Sequence, residues 1–183
     1  MFFVFLAPLW GQDLYTTHGR QDRFYVTEGW IDAQGWSARA AKVLGDFKSY
    51  RQWGLKGLDG KDPLSAKYWV QLTDYLNPQP SVLEVVYDVR IGGFLNVPKN
   101  TLRFNITRMG DSGVALVMEK PPLGLEDARV NIQVVDDRVV FHTQLRFWGV
   151  IDGMMDVGKY RQSMECRLTN LAENLRDLLT ENS

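Results

Sequence analysis

Disulfide chemistry is closed to this chain, because its 183 residues include a single cysteine, Cys166. Histidine is nearly as scarce: His18 and His142 are the only two, far apart in sequence. With no paired-carboxylate motif beside them, the spacing that would ligate a metal is missing, so no metal site and no cofactor are expected. Cys166 has no neighbouring histidine to activate it and falls on the polar side of a C-terminal helix, which predicts a solvent-facing thiol without a catalytic role. Charge of one sign is lacking too. A net charge of -1 gives no global pull toward nucleic acid or an anionic surface, and no nucleic-acid partner is expected. Long apolar runs are absent apart from the N-terminus, where Met1–Trp10 is too short to span a bilayer as a helix. That segment resembles the apolar core of a secretory signal peptide without its basic leader, and cleavage is expected near Gly11. Residues 1–11 are thus a truncated signal, which predicts a periplasmic or extracellular protein, or an apolar extension packed on the domain of a cytoplasmic one.

What remains is ample for one core: hydrophobic residues make up 45% of the chain and aromatic residues 12%. Residues 12–22 are polar and read as a loose lead-in. Phe24–Ile31 has strand character, with Phe24, Val26 and Trp30 sharing the apolar side. Ser37 is placed to cap a helix over Ala38–Leu44, and Gly45-Asp46 separates it from a second short helix, Phe47–Trp53. Six strand-like segments follow: Lys67–Tyr75, Val82–Ile91, Thr101–Met109, Val114–Lys120, Ala128–Val135 and Arg138–Val150. Short turns rich in Gly, Pro, Asn and Asp join them, which favours an antiparallel meander. A final helix carries Val157, Tyr160, Met164, Leu168, Leu171, Leu175 and Leu178 along one side. No glycine cluster opens a helix after a strand, so no phosphate-cradling loop is present.

The segment Ser37–Trp53 combines a small helix, Asp46, Tyr50 four residues on, and Trp53 closing a second helix. In this, and in the order of its elements, the chain over residues 23–181 resembles the START-like (SRPBCC) helix-grip superfamily. That superfamily includes lipid-transfer domains, polyketide cyclases and pollen-allergen relatives. The resemblance implies an α+β fold: a seven-stranded curved antiparallel sheet wrapped around the C-terminal helix, with two short helices after the first strand. It specifies an architecture better than an activity.

Strand alternation tells which side chains such a sheet would turn inward. The inward set is Tyr68, then Leu83, Val85, Tyr87 and Val89, then Leu102, Phe104 and Ile106, then Val130 and Ile132, then Phe141, Thr143 and Leu145. Tyr160, Met164 and Leu168 of the last helix would close over them. These positions are the expected ligand-binding residues. Nearly every ionisable strand residue takes the outer face, so no acid–base constellation can be assembled and no catalytic residue is assigned. Glu28 and Asp74 are the exceptions on apolar sides; each is read as a solvated residue near a strand end, the alternative being a buried carboxylate that orients a ligand. His142 reads as a surface residue.

Alternate turns of a meander lie at one end of the sheet. The turns that would cluster carry Leu55, Leu58, Phe94, Leu95, Leu123, Ile151, Met154 and Met155, which predicts a hydrophobic portal hinged near Asp152-Gly153. The favoured function is binding or carriage of a small apolar ligand (a lipid, fatty acid, sterol or isoprenoid), with transient membrane contact at the portal. The alternatives are a cyclase or aromatase-like enzyme using Tyr68, Tyr87 and Thr143, and a co-chaperone-like module acting through its surface.

Overall fold

In a computed structural model, which describes residues 14–55, 68–91 and 95–180, the chain forms an α+β fold with one curved antiparallel sheet and a long C-terminal helix. The strands are β1 (Leu14–Gln21), β2 (Phe24–Asp32), β3 (Tyr68–Gln79), β4 (Val82–Ile91), β5 (Leu95–Arg108), β6 (Gly113–Met118), β7 (Leu125–Val135) and β8 (Arg138–Phe147). Helices α1 (Ser37–Gly45) and α2 (Tyr50–Trp53) follow β2, while α3 (Gly149–Asp152) and α4 (Val157–Thr180) follow β8. Strand order is β1-β2-β8-β7-β6-β5-β4-β3, so consecutive strands pair except where α1 and α2 carry the chain from β2 to the far edge.

The sheet has eight strands, one more than the sequence predicts. The additional strand is β1, in the segment read as a loose lead-in. Its inner positions, Thr16 and His18, are polar, so no hydrophobic alternation announces it. It forms a hairpin with β2 through a turn in which Asp22 takes φ 53°. The β7–β8 hairpin turns on Asp136-Asp137, both at positive φ, the backbone of a type I′ turn. Asp137 also accepts a hydrogen bond from the Ser37 hydroxyl. Ser37 is therefore the first residue of α1, and Trp36 occupies the cap position assigned to Ser37 from sequence.

Two facing assignments change. On β2 the inner side is Tyr25, Thr27, Gly29 and Ile31, all buried, and Phe24, Val26 and Trp30 lie outside. The outer aromatics are covered by arginines from other strands. Arg138 sits 4.3 Å from the Trp30 ring centre, and Arg129 and Arg146 sit 5.6 and 5.2 Å from that of Phe24. Glu28 is consequently exposed, and it accepts from or shares a proton with His142 Nδ1 at 2.9 Å. On β3 a bulge between Leu72 and Asp74 shifts the register, and Asp74 pairs with Arg51 at 3.1 Å at the edge of α2.

The core joins α1, α2, the inner sheet face and one side of α4. Tyr160, Ser163, Leu168, Ala172, Asn174, Leu175 and Leu179 are the buried residues of α4. Val157, placed on the stripe from sequence, is 37% exposed, and Cys166 is half-buried, not plainly solvent-facing. Side-chain hydrogen bonds fix the far half of the helix. Asn174 donates to the Trp53 carbonyl at 2.8 Å, and Arg39 donates to the carbonyls of Leu178 and Leu179 at the C-terminus, where a cation also opposes the helix dipole.

Gly29 lets the β1–β2 hairpin fold tightly over the sheet. A Cβ there would stand 2.2 Å from the Tyr15 carbonyl oxygen and 2.8 Å from the Phe141 ring. Gly29→Ala is expected to cost about 3 kcal/mol, the upper range of over-packing penalties, read as a lower urea midpoint; Gly19→Ala on the same hairpin meets open space and should be near neutral.

Candidate functional site

The inner face of the sheet is polar at one side and apolar at the other. One cross-strand row makes this plain: His18, Thr27, Thr143, Val130, Leu116 and Ile106 are successive partners on β1, β2, β8, β7, β6 and β5. Tyr160, in the first turns of α4, lies over the polar end with its hydroxyl 2.8 Å from Thr27 Oγ1. His18 Nδ1 lies 2.9 Å from the same Thr27 oxygen, and Nε2 lies 3.1 Å from Thr16 Oγ1. The His18 side chain is 2% exposed, with the Glu165 carboxylate 3.9 Å from Nε2. A chain of hydrogen bonds thus runs from the edge of the sheet to its interior.

Burial sets the protonation of these groups. It lowers the His18 pKa, against the attraction of Glu165 and with the help of Arg161, and so favours the neutral imidazole. It raises that of Tyr160, although the neighbouring Thr27 and Thr143 hydroxyls favour the phenolate, and it raises that of Tyr25 despite Arg20. The tyrosines are therefore protonated donors at neutral pH. Thr143 lies beside Tyr160 but completes no hydrogen bond of good geometry: its hydroxyl is buried without a partner, and the residue is 8% exposed. An orphaned buried hydroxyl costs about 1–3 kcal/mol.

The apolar side is built from the residues read as ligand-binding. Leu83, Val85, Phe104, Phe141 and Leu168 are buried in the core cluster. Leu102, Ile106, Val130, Ile132, Leu145 and Met164 pack against that cluster yet stay half-buried, and Val89 is half-buried as well. Tyr87 is buried, donates to the Leu123 carbonyl at 3.1 Å, and has its pKa pushed up to about 12 by burial. Tyr68 opens β3, and its side chain lies outside the described residues.

Of the portal residues, Leu58 and Phe94 lie outside the described residues, as does the signal-like segment 1–11. Leu95 is exposed, while Leu55, Leu123, Ile151, Met154 and Met155 are half-buried. The turns around Leu123 and Ile151 do meet: the Trp148 amide donates to the Gly124 carbonyl at 3.2 Å, and a Cβ on Gly124 would stand 3.0 Å from Ile151. This end is also laced by charge, which the sequence reading missed. Arg20 pairs with Asp152 at 2.7 Å, and Arg23 and Arg146 each reach Glu126 at 3.1 Å. Tyr25 donates to the Met155 carbonyl at 3.0 Å, so the segment Asp152–Met155, expected from sequence to hinge, is tied to β1 and β2.

His18, Thr27 and Tyr25 were missed as interior residues for one reason: β1 went unread and β2 was turned inside out. Thr16-Thr17 beside Tyr15 was the available strand signal. Among the described residues no cluster of His, Cys, Asp and Glu could hold a metal ion.

No family model matches the sequence, and no curated protein does. Solved structures match in fold. The di-domain aromatase/cyclase StfQ from the steffimycin biosynthetic pathway aligns with TM-score 0.51 at 11% identity, over 87% of this chain and 50% of that one. The chain thus spans half the length of that di-domain protein. The Zhui aromatase/cyclase from a Streptomyces species aligns with TM-score 0.51 at 12% identity over 85% and 93% of the two chains. Protein Ms6760 from Mycobacterium smegmatis does so with TM-score 0.51 at 9% identity over 91% and 96%. The chain accordingly shares the helix-grip fold of these aromatase/cyclase structures.

Because burial lowers the His18 pKa from 6.5, the unfolded chain takes up a proton that the folded one refuses as pH falls below that value. This residue's contribution to stability is complete above pH 6.5 and declines as acid approaches the folded-state pKa. Urea titrations from pH 7.5 to 4.5 should show a steeper acid loss for the native chain than for His18→Gln. Equal slopes would refute a buried neutral His18.

Proposed function

We propose that the protein binds and carries a small, largely apolar ligand between the inner face of its sheet and α4. The observation that supports this best is the incomplete burial of inward apolar side chains. Leu102, Ile106, Val130, Ile132, Leu145 and Met164 all touch the core, yet each retains accessible surface. An inward side chain with accessible surface borders a space that a water molecule can enter, and an apolar ligand entering it would gain roughly 25 cal/mol per Å² covered. A mostly apolar lining with a few polar groups is the usual composition of a small-molecule site. The helix-grip fold is consistent with this use, and the ligand class (lipid, fatty acid, sterol or isoprenoid) is part of the proposal.

A second reading, an aromatase/cyclase-like enzyme, draws on the likeness to StfQ and Zhui. One local observation favours it: buried, protonated tyrosine and threonine hydroxyls stand where they could polarise a carbonyl. Against it, among the described residues the inner face brings no ionised acid–base pair to these hydroxyls, and His18 hydrogen-bonds toward the interior through Thr27. Membrane contact at the portal and export belong to the proposal too, the latter on the Met1–Trp10 segment alone.

Native mass spectrometry of protein isolated gently from its host should detect a bound apolar molecule. Val130→Phe, which adds a ring at a half-buried inward position, should reduce its occupancy several-fold with little change in thermal midpoint. A wild-type protein that is always empty would exclude carriage. N-terminal sequencing of the same preparation should begin near Gln12 if the segment is a cleaved signal, and at Met1 if it is not.

A further inference from the structure

We propose that Thr143, with Tyr160 and Thr27 beside it, forms a recognition point for one uncharged oxygen, a carbonyl or a hydroxyl, on an otherwise apolar ligand. The inference rests on the carrier reading and specifies what the ligand must present. It begins with hydrogen-bond geometry. His18, Thr27 and Tyr160 are linked by contacts of 2.9 and 2.8 Å through the Thr27 hydroxyl. Thr143, next in the row and beside Tyr160, is 8% exposed, and its hydroxyl completes no hydrogen bond with the described residues. A ligand oxygen within reach would give that hydroxyl a partner.

Its place in the fold shows what carries that acceptor. Thr143 is the last polar member of the cross-strand row, and its next partners are Val130, Leu116 and Ile106. A ligand oxygen at Thr143 would therefore have its hydrocarbon body along the half-buried apolar side chains. The charged groups at the polar end are engaged elsewhere: Glu165 and Arg161 on α4 act on His18 at the rim, and Arg20 lies over the Tyr25 ring and pairs with Asp152. Among the described residues no cation pairs with Thr143 to balance a carboxylate, so the oxygen is that of a ketone, an ester or an alcohol and not of a free fatty acid.

The test uses diphenylhexatriene, a hydrocarbon fluorophore with no oxygen, as the reporter of the apolar space, displaced by dodecanone, dodecanol, dodecane or dodecanoate. Wild-type protein should take up the fluorophore and prefer dodecanone and dodecanol over dodecane by roughly two- to ten-fold, the range of one net hydrogen bond. Thr143→Val should melt no lower than wild type and lose that preference, while Thr143→Ser should keep it. A ketone preference intact in Thr143→Val would overturn this proposal alone, as would tighter displacement by dodecanoate. No fluorophore uptake by the wild type would overturn the carrier reading and this inference with it.

Discussion

The hydrogen bond between Thr27 and Tyr160 is buried from water at both ends, and the position of α4 over the sheet follows from it. An apolar stripe alone tolerates rotation and sliding, because one aliphatic contact replaces another at little cost. A buried hydroxyl tolerates neither. Displacing α4 by one residue would strand Tyr160, Thr27 and, behind them, His18. Asn174 and Arg39 impose the same discipline further along, since each satisfies a backbone carbonyl that water would otherwise have to reach. The helix is attached by hydrophobic contact and registered by polar contact.

This division of labour extends to the sheet. The strands at one edge, β1 and β2 with β8, supply hydroxyls and an imidazole; β4 to β7 supply aliphatic and aromatic surface. The polar edge has most of its hydrogen bonds filled by its own members, while several apolar side chains of the remainder stay half-buried. Those two conditions differ in kind. A nearly saturated polar network holds a shape, whereas apolar contacts tolerate rearrangement. The ion pairs Arg20–Asp152 and Arg23–Glu126 then tie the hairpin turn to the loops that carry Leu123 and Ile151.

The six meander strands, α1 and α4 were legible because their period is strong and their turns carry Gly, Pro, Asn and Asp. The inward set on β4, β5, β7 and β8 was legible for the same reason. β2 was not. Phe24, Val26 and Trp30 alternate as a buried face does, and the arginines that make an outer position tolerable for Phe24 and Trp30 come from β7 and β8, more than a hundred residues away. β1 escaped because a strand whose inner face is Thr and His has no hydrophobic period to read. Asp74 was misplaced by a bulge, which shifts every later side chain on its strand without a sequence mark. What was missed is the polar half of the interior, where hydrophobic patterning is silent by construction.

β1 contributes His18 and Thr16 from the very edge of the sheet, and only β2 holds it there in strand pairing. The polar network therefore draws on three distant stretches of sequence, the β1–β2 hairpin, β8 and α4, and Thr27 is the residue where they meet. A change in the hairpin is felt at once in the seating of the last helix, although more than a hundred residues separate the two.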